Sequence, residues 1–214
     1  MPISIICSYV FHKKVFGHQV FRVIFFLPNI ISVVVLTMAF RFMFNNQFGP
    51  MVELLRSLGL NDAIPPNGYF GTEGLSMMMI FAYCLWAGIG YNVLLLSGAI
   101  SRLPIEVLEA GKVDGIGMTR ELVQIIIPMI FPTISTLFIT GSMVMFTLYL
   151  QPMLLTAGGP NGSTYTIAYY IVDMVNNNKL YDAAAAGIVF SIIGIPLVLA
   201  IKWFMEKITP QVEF

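Results

Sequence analysis

Charge is what this sequence has least of. Of its 214 residues, 10% are Asp, Glu, Lys or Arg, while 57% are hydrophobic. A soluble domain carries about 25% charged residues. A water-facing sphere of this size needs more polar surface than these residues supply, which excludes a soluble globular enzyme and a disordered chain. Lys+Arg and Asp+Glu number 11 each, for a net charge of 0. No basic face for nucleic acid follows from that balance, and no global field steers a partner. Cysteine is scarce too. Cys7 and Cys84 both sit in apolar runs, so neither a disulfide framework nor a zinc site is implied. No Gly-x-x-x-x-Gly-Lys-Ser/Thr loop is present to cradle a nucleotide. No Ser/His/Asp set or carboxylate pair with catalytic logic stands out.

What is present is long charge-free stretches. No charge falls between Arg22 and Arg41, Glu73 and Arg102, Glu121 and Asp173, or Asp182 and Lys202. Crossing a bilayer takes roughly 20 apolar residues in a helix. The pattern predicts an all-α, polytopic helical membrane protein with spans near 21–43, 75–100, 126–150 and 183–204. The runs are continuous rather than alternating, which excludes a β-barrel. The third gap is too long for one span. Thr156-Ala157-Gly158-Gly159-Pro160-Asn161-Gly162 breaks it. A short helix over 164–176 follows, ended by Asn176-Asn177-Asn178-Lys179, and its Tyr165, Tyr169 and Tyr170 suit a membrane–water interface. The 14 methionines are filler or lipid-facing residues rather than metal ligands.

Lysine and arginine placement sets the orientation. With the loop 101–124 inside, Lys13, Lys14, Arg22, Arg102, Lys112, Arg120, Lys202 and Lys207 are inside. Only Arg41, Arg56 and Lys179 are outside. The loops 44–74 and 151–182 then face out. His12 and His18 lie in the basic segment next to the membrane and meet headgroups. Residues 1–11 are apolar but too few to cross a bilayer. Positive charges follow them and no small-residue cleavage site is evident, so they are not a secretory signal. The expectation is the cytoplasmic end of a helix whose earlier part is missing.

The loop 101–124 is the most patterned polar stretch. Pro104 suits a first helical turn. Ile105, Leu108 and Val113 give that helix an apolar side, while Glu106, Glu109 and Lys112 give it a polar one. Asp114-Gly115 and Gly117 make a turn. A second helix from Met118 to Ile125 feeds into the third span. The product is a helix–turn–helix on the inner membrane face, joined rigidly to two spans.

That loop resembles the signature of bacterial ABC importer permeases: Glu-Ala-Ala, three residues, Gly, nine residues, then Ile-x-Leu-Pro. Here Glu109-Ala110-Gly111 precedes Gly115, and Ile125-Ile126-Ile127-Pro128 closes the pattern with both spacings kept. Gly111 replaces the second Ala and Ile127 the Leu; the glycine costs the helix about 1 kcal/mol against Ala. Asp114 before Gly115, and Pro104 with Glu106, are also typical. Three further stretches resemble the carbohydrate-uptake, maltose-type branch: Phe21-Arg22-Val23-Ile24-Phe25-Phe26-Leu27-Pro28-Asn29, Leu155-Thr156-Ala157-Gly158-Gly159-Pro160 with Ser163-Thr164, and Tyr181-Asp182-Ala183-Ala184-Ala185-Ala186.

The resemblance implies the transmembrane domain of a type I ABC importer, as a single permease domain over 1–214. Such domains usually carry about six spans, so the four here would be the last four, and the chain one started late or cut within the second span. It implies a second permease subunit, two cytoplasmic ABC ATPases that do the catalysis, an extracytoplasmic solute-binding protein and a bacterial inner membrane. The permease itself would be non-catalytic and need no cofactor or metal. Glu109, Ala110, Gly111, Asp114, Gly115, Ile125 and Pro128 would form the ATPase-coupling element. For the solute path, the uncharged polar and aromatic side chains inside the spans are the candidates: Tyr83, Cys84, Trp86, Gly88, Tyr91 and Asn92 in the second, Thr147, Tyr149 and Gln151 in the third. Lipid satisfies none of their polar atoms. Packing between helices is the alternative role for Trp86, Tyr91, Asn92 and Gln151. No carboxylate lies within a span, which argues against proton coupling. The solute expected is a sugar or oligosaccharide, with glycerol phosphate as the alternative. An intramembrane enzyme lacks its acids and histidines, and a non-transporting scaffold predicts a tolerant coupling loop.

Overall fold

The structure, a computed structural model, describes residues 1–13 and 18–208. Lys14, counted above among the inward charges, lies outside the described residues. Eleven α-helices follow along the described chain: α1 (Pro2–His12), α2 (His18–Ile30), α3 (Val33–Met43), α4 (Pro50–Ser57), α5 (Leu75–Ile100), α6 (Ile105–Val113), α7 (Met118–Arg120), α8 (Ile127–Thr147), α9 (Leu150–Thr156), α10 (Ile167–Asn176) and α11 (Leu180–Ile208). Among the described residues there is no strand.

Three helical stretches are long and apolar enough to cross a membrane: Leu75–Ile100, Met118–Thr147 and Leu180–Ile208. At about 1.5 Å per residue the shortest, α5 with 26 residues, reaches about 39 Å, beyond the ~30 Å hydrocarbon layer. The first expected span, 21–43, is instead broken between α2 and α3. Pro28 inside α2 has no N–H for the Ile24 carbonyl. Two residues past the end of α2, Ser32 turns extended at φ −52°, ψ 133° to start α3.

The third span is reached through a wide turn. Residues Glu121–Ile126 form a π-helix between α7 and α8. Pro128 explains its place: in a regular α-helix the proline ring meets the carbonyl four residues back, at Gln124. The wider register opens the chain where that clash would fall. The span ends at Thr147 rather than near 150. There Pro152 lacks the N–H that would bond the Leu148 carbonyl, and α9 starts afresh from Tyr149 at φ −130°. The Thr166 hydroxyl donates to that Leu148 carbonyl instead, so the break leaves no orphan acceptor there.

The chain divides into two compact units. One comprises Met1–Asn29, Gly88–Met143 and Pro196–Phe214; the other comprises Ile30–Ala87 and Val144–Ile195. In the first, Tyr9, Leu96, Ile100, Leu108, Ile126, Ile130 and Leu137 form one buried cluster. It draws on α1, α5, α6, the π-helix and α8. Gly90 is required here: a Cβ at that position would lie 1.8 Å from the Phe25 carbonyl oxygen of α2. In the second unit Leu36, Phe40, Ile80, Tyr83 and Leu155 form the core. Phe40 is its hub, edge-on to Tyr83 at 5.3 Å and stacked on Trp86 at 6.1 Å.

Candidate functional site

In the first unit, α6 and α7 meet at a sharp turn. The α6 end is a Schellman motif: Gly115 sits at φ +70° and the Ile116 N–H donates to the Gly111 carbonyl at 3.0 Å. The Asp114 N–H donates to Ala110 at 3.0 Å. Gly111 is the departure from the signature, and it has a packing reason. A Cβ there would come 2.9 Å from Ile125 Cδ1, so glycine lets α6 lie close on the π-helix. Ile125 and Pro128 are half-buried beneath it.

The expected apolar side of α6 divides in the structure. Leu108 alone joins the core, at 8% exposure, whereas Ile105 is 63% and Val113 88% exposed. Met118, across the turn, is 61% exposed. The elbow therefore presents bare apolar side chains around its tip. Glu109, Ala110 and Asp114 are exposed with them. Neither carboxylate makes an ion pair with a described residue.

What fastens the elbow was not singled out from the sequence. Glu121, the first π-helix residue, is 5% exposed. Lys13 Nζ lies 2.8 and 2.7 Å from its two carboxylate oxygens. The Tyr9 hydroxyl donates to Oε2 at 2.9 Å and lies 3.2 Å from the Met118 carbonyl. A buried carboxylate needs such compensation. The signal was available: Glu121 borders the longest charge-free gap, where an acid requires a partner.

The Gly158-Gly159-Pro160 loop lies in the second unit and closes on itself. Gly158 (φ +94°) and Gly159 (φ +70°) are left-handed, and a Cβ on either would strike Tyr165 or Thr164 at 2.5 Å. The Thr156 and Thr164 hydroxyls are 2.7 Å apart, and the Thr164 N–H donates to the Gly158 carbonyl at 3.0 Å. Thr166 caps α10 by accepting from the Tyr169 N–H. Tyr165 stacks on Tyr169 at 4.8 Å and donates to Asp173 at 3.1 Å. Removal from water, followed by the neighbouring Asp173 carboxylate, raises the Tyr165 phenol above its ordinary pKa.

The expected path residues fall into different environments. Tyr83 is 1% exposed, in the core of the second unit, with its hydroxyl 2.8 Å from Thr37 Oγ1. Cys84 and Gln151 are half-buried in that unit; Trp86, Thr147 and Tyr149 are exposed. In the first unit Gly88 and Asn92 are half-buried and Tyr91 is 51% exposed. None of these lines the groove of about 760 Å³ that opens in the first unit. That groove is walled by α5 (Leu94, Leu95, Gly98, Ala99) and α8 (Met129, Pro132, Thr133, Thr136), with Arg102 between them in the chain. Its walls are mostly apolar, a composition that polar-residue reasoning passes over.

Contacts within each unit join segments assigned to one membrane side. Lys13 and Glu121 were both placed inside. Arg41 and Leu154, whose carbonyl accepts from the arginine at 3.0 Å, belong to the outer ends.

The family described as "Binding-protein-dependent transport system inner membrane component" matches residues 1–214. The chain is 28% identical over 170 residues to the probable ABC transporter permease protein YurN of Bacillus subtilis, covering 78% of this chain and 56% of that one. It is 29% identical over 202 residues to the multiple sugar-binding transport system permease protein MsmF of Streptococcus mutans, covering 94% and 68%. The chain thus spans little more than half of the first relative. Among solved structures, a bacterial alginate ABC transporter in complex with an alginate pentasaccharide-bound periplasmic protein superposes with a TM-score of 0.86. The superposition covers 97% of this chain and 72% of that chain at 20% identity. That likeness concerns the fold: the all-helical architecture is that of an ABC importer's transmembrane domain.

Proposed function

Because this chain belongs to the family of binding-protein-dependent transport inner membrane components, we propose that it forms half of the solute path of an ATP-driven importer. It does so as one multi-pass permease domain in a bacterial inner membrane. A second permease completes the path, two cytoplasmic ABC ATPases supply the work, and an extracytoplasmic binding protein delivers the solute. The permease catalyses nothing itself.

The elbow carries this reading. Its turn is fixed by Gly115 at φ +70°, its base is packed through Leu108 into the core, its tip leaves Val113 and Met118 bare, and Ile105 is bare at the start of α6. Exposed apolar side chains on a rigid turn suit insertion into another protein's groove. Glu109 and Asp114 flank that surface. The π-helix under the elbow runs unbroken into α8, so a push on α6 moves a span.

A sugar or oligosaccharide is the solute this reading favours. MsmF is named for multiple sugars, and the structural neighbour holds an alginate system. Trp86 and Tyr149 in one unit and Tyr91 in the other offer exposed rings on which sugars stack. Cys84, Asn92, Thr147 and Gln151 add polar atoms, while buried Tyr83 and half-buried Gly88 shape α5, which carries Cys84 and Asn92.

The test is transport in vesicles by the full complex with Glu109→Lys or Gly115→Pro. Both variants should reach the membrane, and ATP hydrolysis should cease to drive uptake. Normal uptake in both would remove the elbow from the mechanism.

A further inference from the structure

The coupling reading leaves α1 without a role, yet α1 is fastened to the elbow by a buried carboxylate and the hydrogen bonds around it. Glu121 is buried at the start of the π-helix, and its carboxylate is held by Lys13 at 2.7 Å and by the Tyr9 hydroxyl at 2.9 Å. Lys13 Nζ also lies 5.3 Å from the Tyr9 ring centroid. One turn earlier on α1, buried Ser8 donates to the Val93 carbonyl of α5 at 3.1 Å. Hydrogen bonds thus tie α1 to the helices on both sides of the elbow. The residues joined are over 100 positions apart for the Glu121 contacts.

We propose that Glu121 is a positioning residue that clamps the C-terminal turn of α1 to the elbow, so that α1, α7 and the π-helix move as one body. A fully packed apolar contact would serve stability as well as an ion pair, often better. Here one carboxylate is held by two different donors, the Lys13 ammonium and the Tyr9 hydroxyl, and satisfying both at once holds one helix at one register. The clamp sits on the hinge side of the elbow, where α7 turns into the span. A displacement of α6 that reaches α7 and the π-helix is then passed to α1 as well as to α8, and two helices respond to one push. This role rests on the coupling reading, but the clamp itself does not.

Spin labels at the exposed positions Ile6 and Val123 report the distance across the clamp in the full transporter complex in lipid nanodiscs. It is measured without nucleotide and with Mg-ATP and vanadate. The native pair should give one narrow distribution in both states. Glu121→Gln should broaden it, and Tyr9→Phe, a milder change that keeps the ion pair, should broaden it less. The exchange Lys13→Glu with Glu121→Lys should restore it. ATP hydrolysis per assembled complex should fall roughly 3- to 30-fold in Glu121→Gln and recover in the exchange. A native-width distribution in both Glu121→Gln and Tyr9→Phe would overturn the clamp, as would failure of the exchange to narrow it. If the native chain assembles with no ATPase, the coupling reading falls, and the nucleotide-free distances alone decide the clamp.

Discussion

The elbow and the outward loop are both turns between helices, yet they are held in opposite ways. The elbow is fastened from far away. Its core mixes α1, α5, α6 and α8, and buried Glu121 is matched by Lys13, the residue just past α1. The outward loop is held to α3 at its α9 end, by Arg41 and Leu155, and its turn over 156–166 is fastened from within. Thr156, Thr164, Thr166 and Tyr165 bond to partners between residues 148 and 173. The elbow also leaves apolar side chains bare at its tip, while the loop folds its glycines against its own tyrosine. Long-range anchoring with an unsatisfied tip suits a part that takes force from a partner and passes it on. Local closure suits a part that keeps its shape.

Each perturbation below separates the two regions, from the largest effect to the smallest. Lys13→Ala removes the ammonium from buried Glu121, whose charge then keeps the Tyr9 hydroxyl but no cation from residue 13, and should destabilise by about 3 kcal/mol, read as an earlier thermal transition in detergent; the outward loop should be unaffected. Gly158→Ala places a Cβ 2.5 Å from the Tyr165 ring at φ +94° and should cost about 2 kcal/mol. Limited proteolysis should then cut near 158–165 while the elbow stays protected. Thr156→Val removes the hydroxyl paired with buried Thr164 and should cost about 1 kcal/mol, seen as faster local hydrogen exchange. Val113→Ser should leave stability within about 0.5 kcal/mol, since the side chain is bare, yet weaken co-purification of the ATPase. The gentlest probe is pH. The raised Tyr165 phenol stays protonated past its ordinary value of about 10, so its bond to Asp173 should persist there. The stabilisation is complete below the unfolded value and is lost progressively as pH rises from there through the folded one. Ultraviolet titration of the native protein against Tyr165→Phe reads this directly.

Much of the architecture was legible because lipid enforces simple rules. Charge-free runs located α5, α8 and α11, and Pro104, Asp114 and Gly115 located the elbow. The break at Ser32 was not legible, because no charge falls between Arg22 and Arg41 and Pro28 is often tolerated within a spanning helix. The π-helix was hidden for a similar reason: Pro128 marks a disturbance but not whether the chain kinks or widens. Lys13 and Glu121 were visible as separate charges, but nothing local joins residues 108 positions apart. The apolar side assigned to α6 was legible as a pattern, not as a direction. Leu108 turned inward, and Ile105 and Val113 were left for something outside this chain.

The central claim is that the bare tip of the elbow sits in a nucleotide hydrolase. A photo-crosslinking amino acid at Val113, in inside-out vesicles carrying the whole transporter, tests it most directly. One dominant adduct should form, identified by mass spectrometry as the ATPase subunit bearing the nucleotide-binding loop, with none at the same label placed at Ser163. Adducts to lipid alone, or to the extracytoplasmic binding protein, would contradict it.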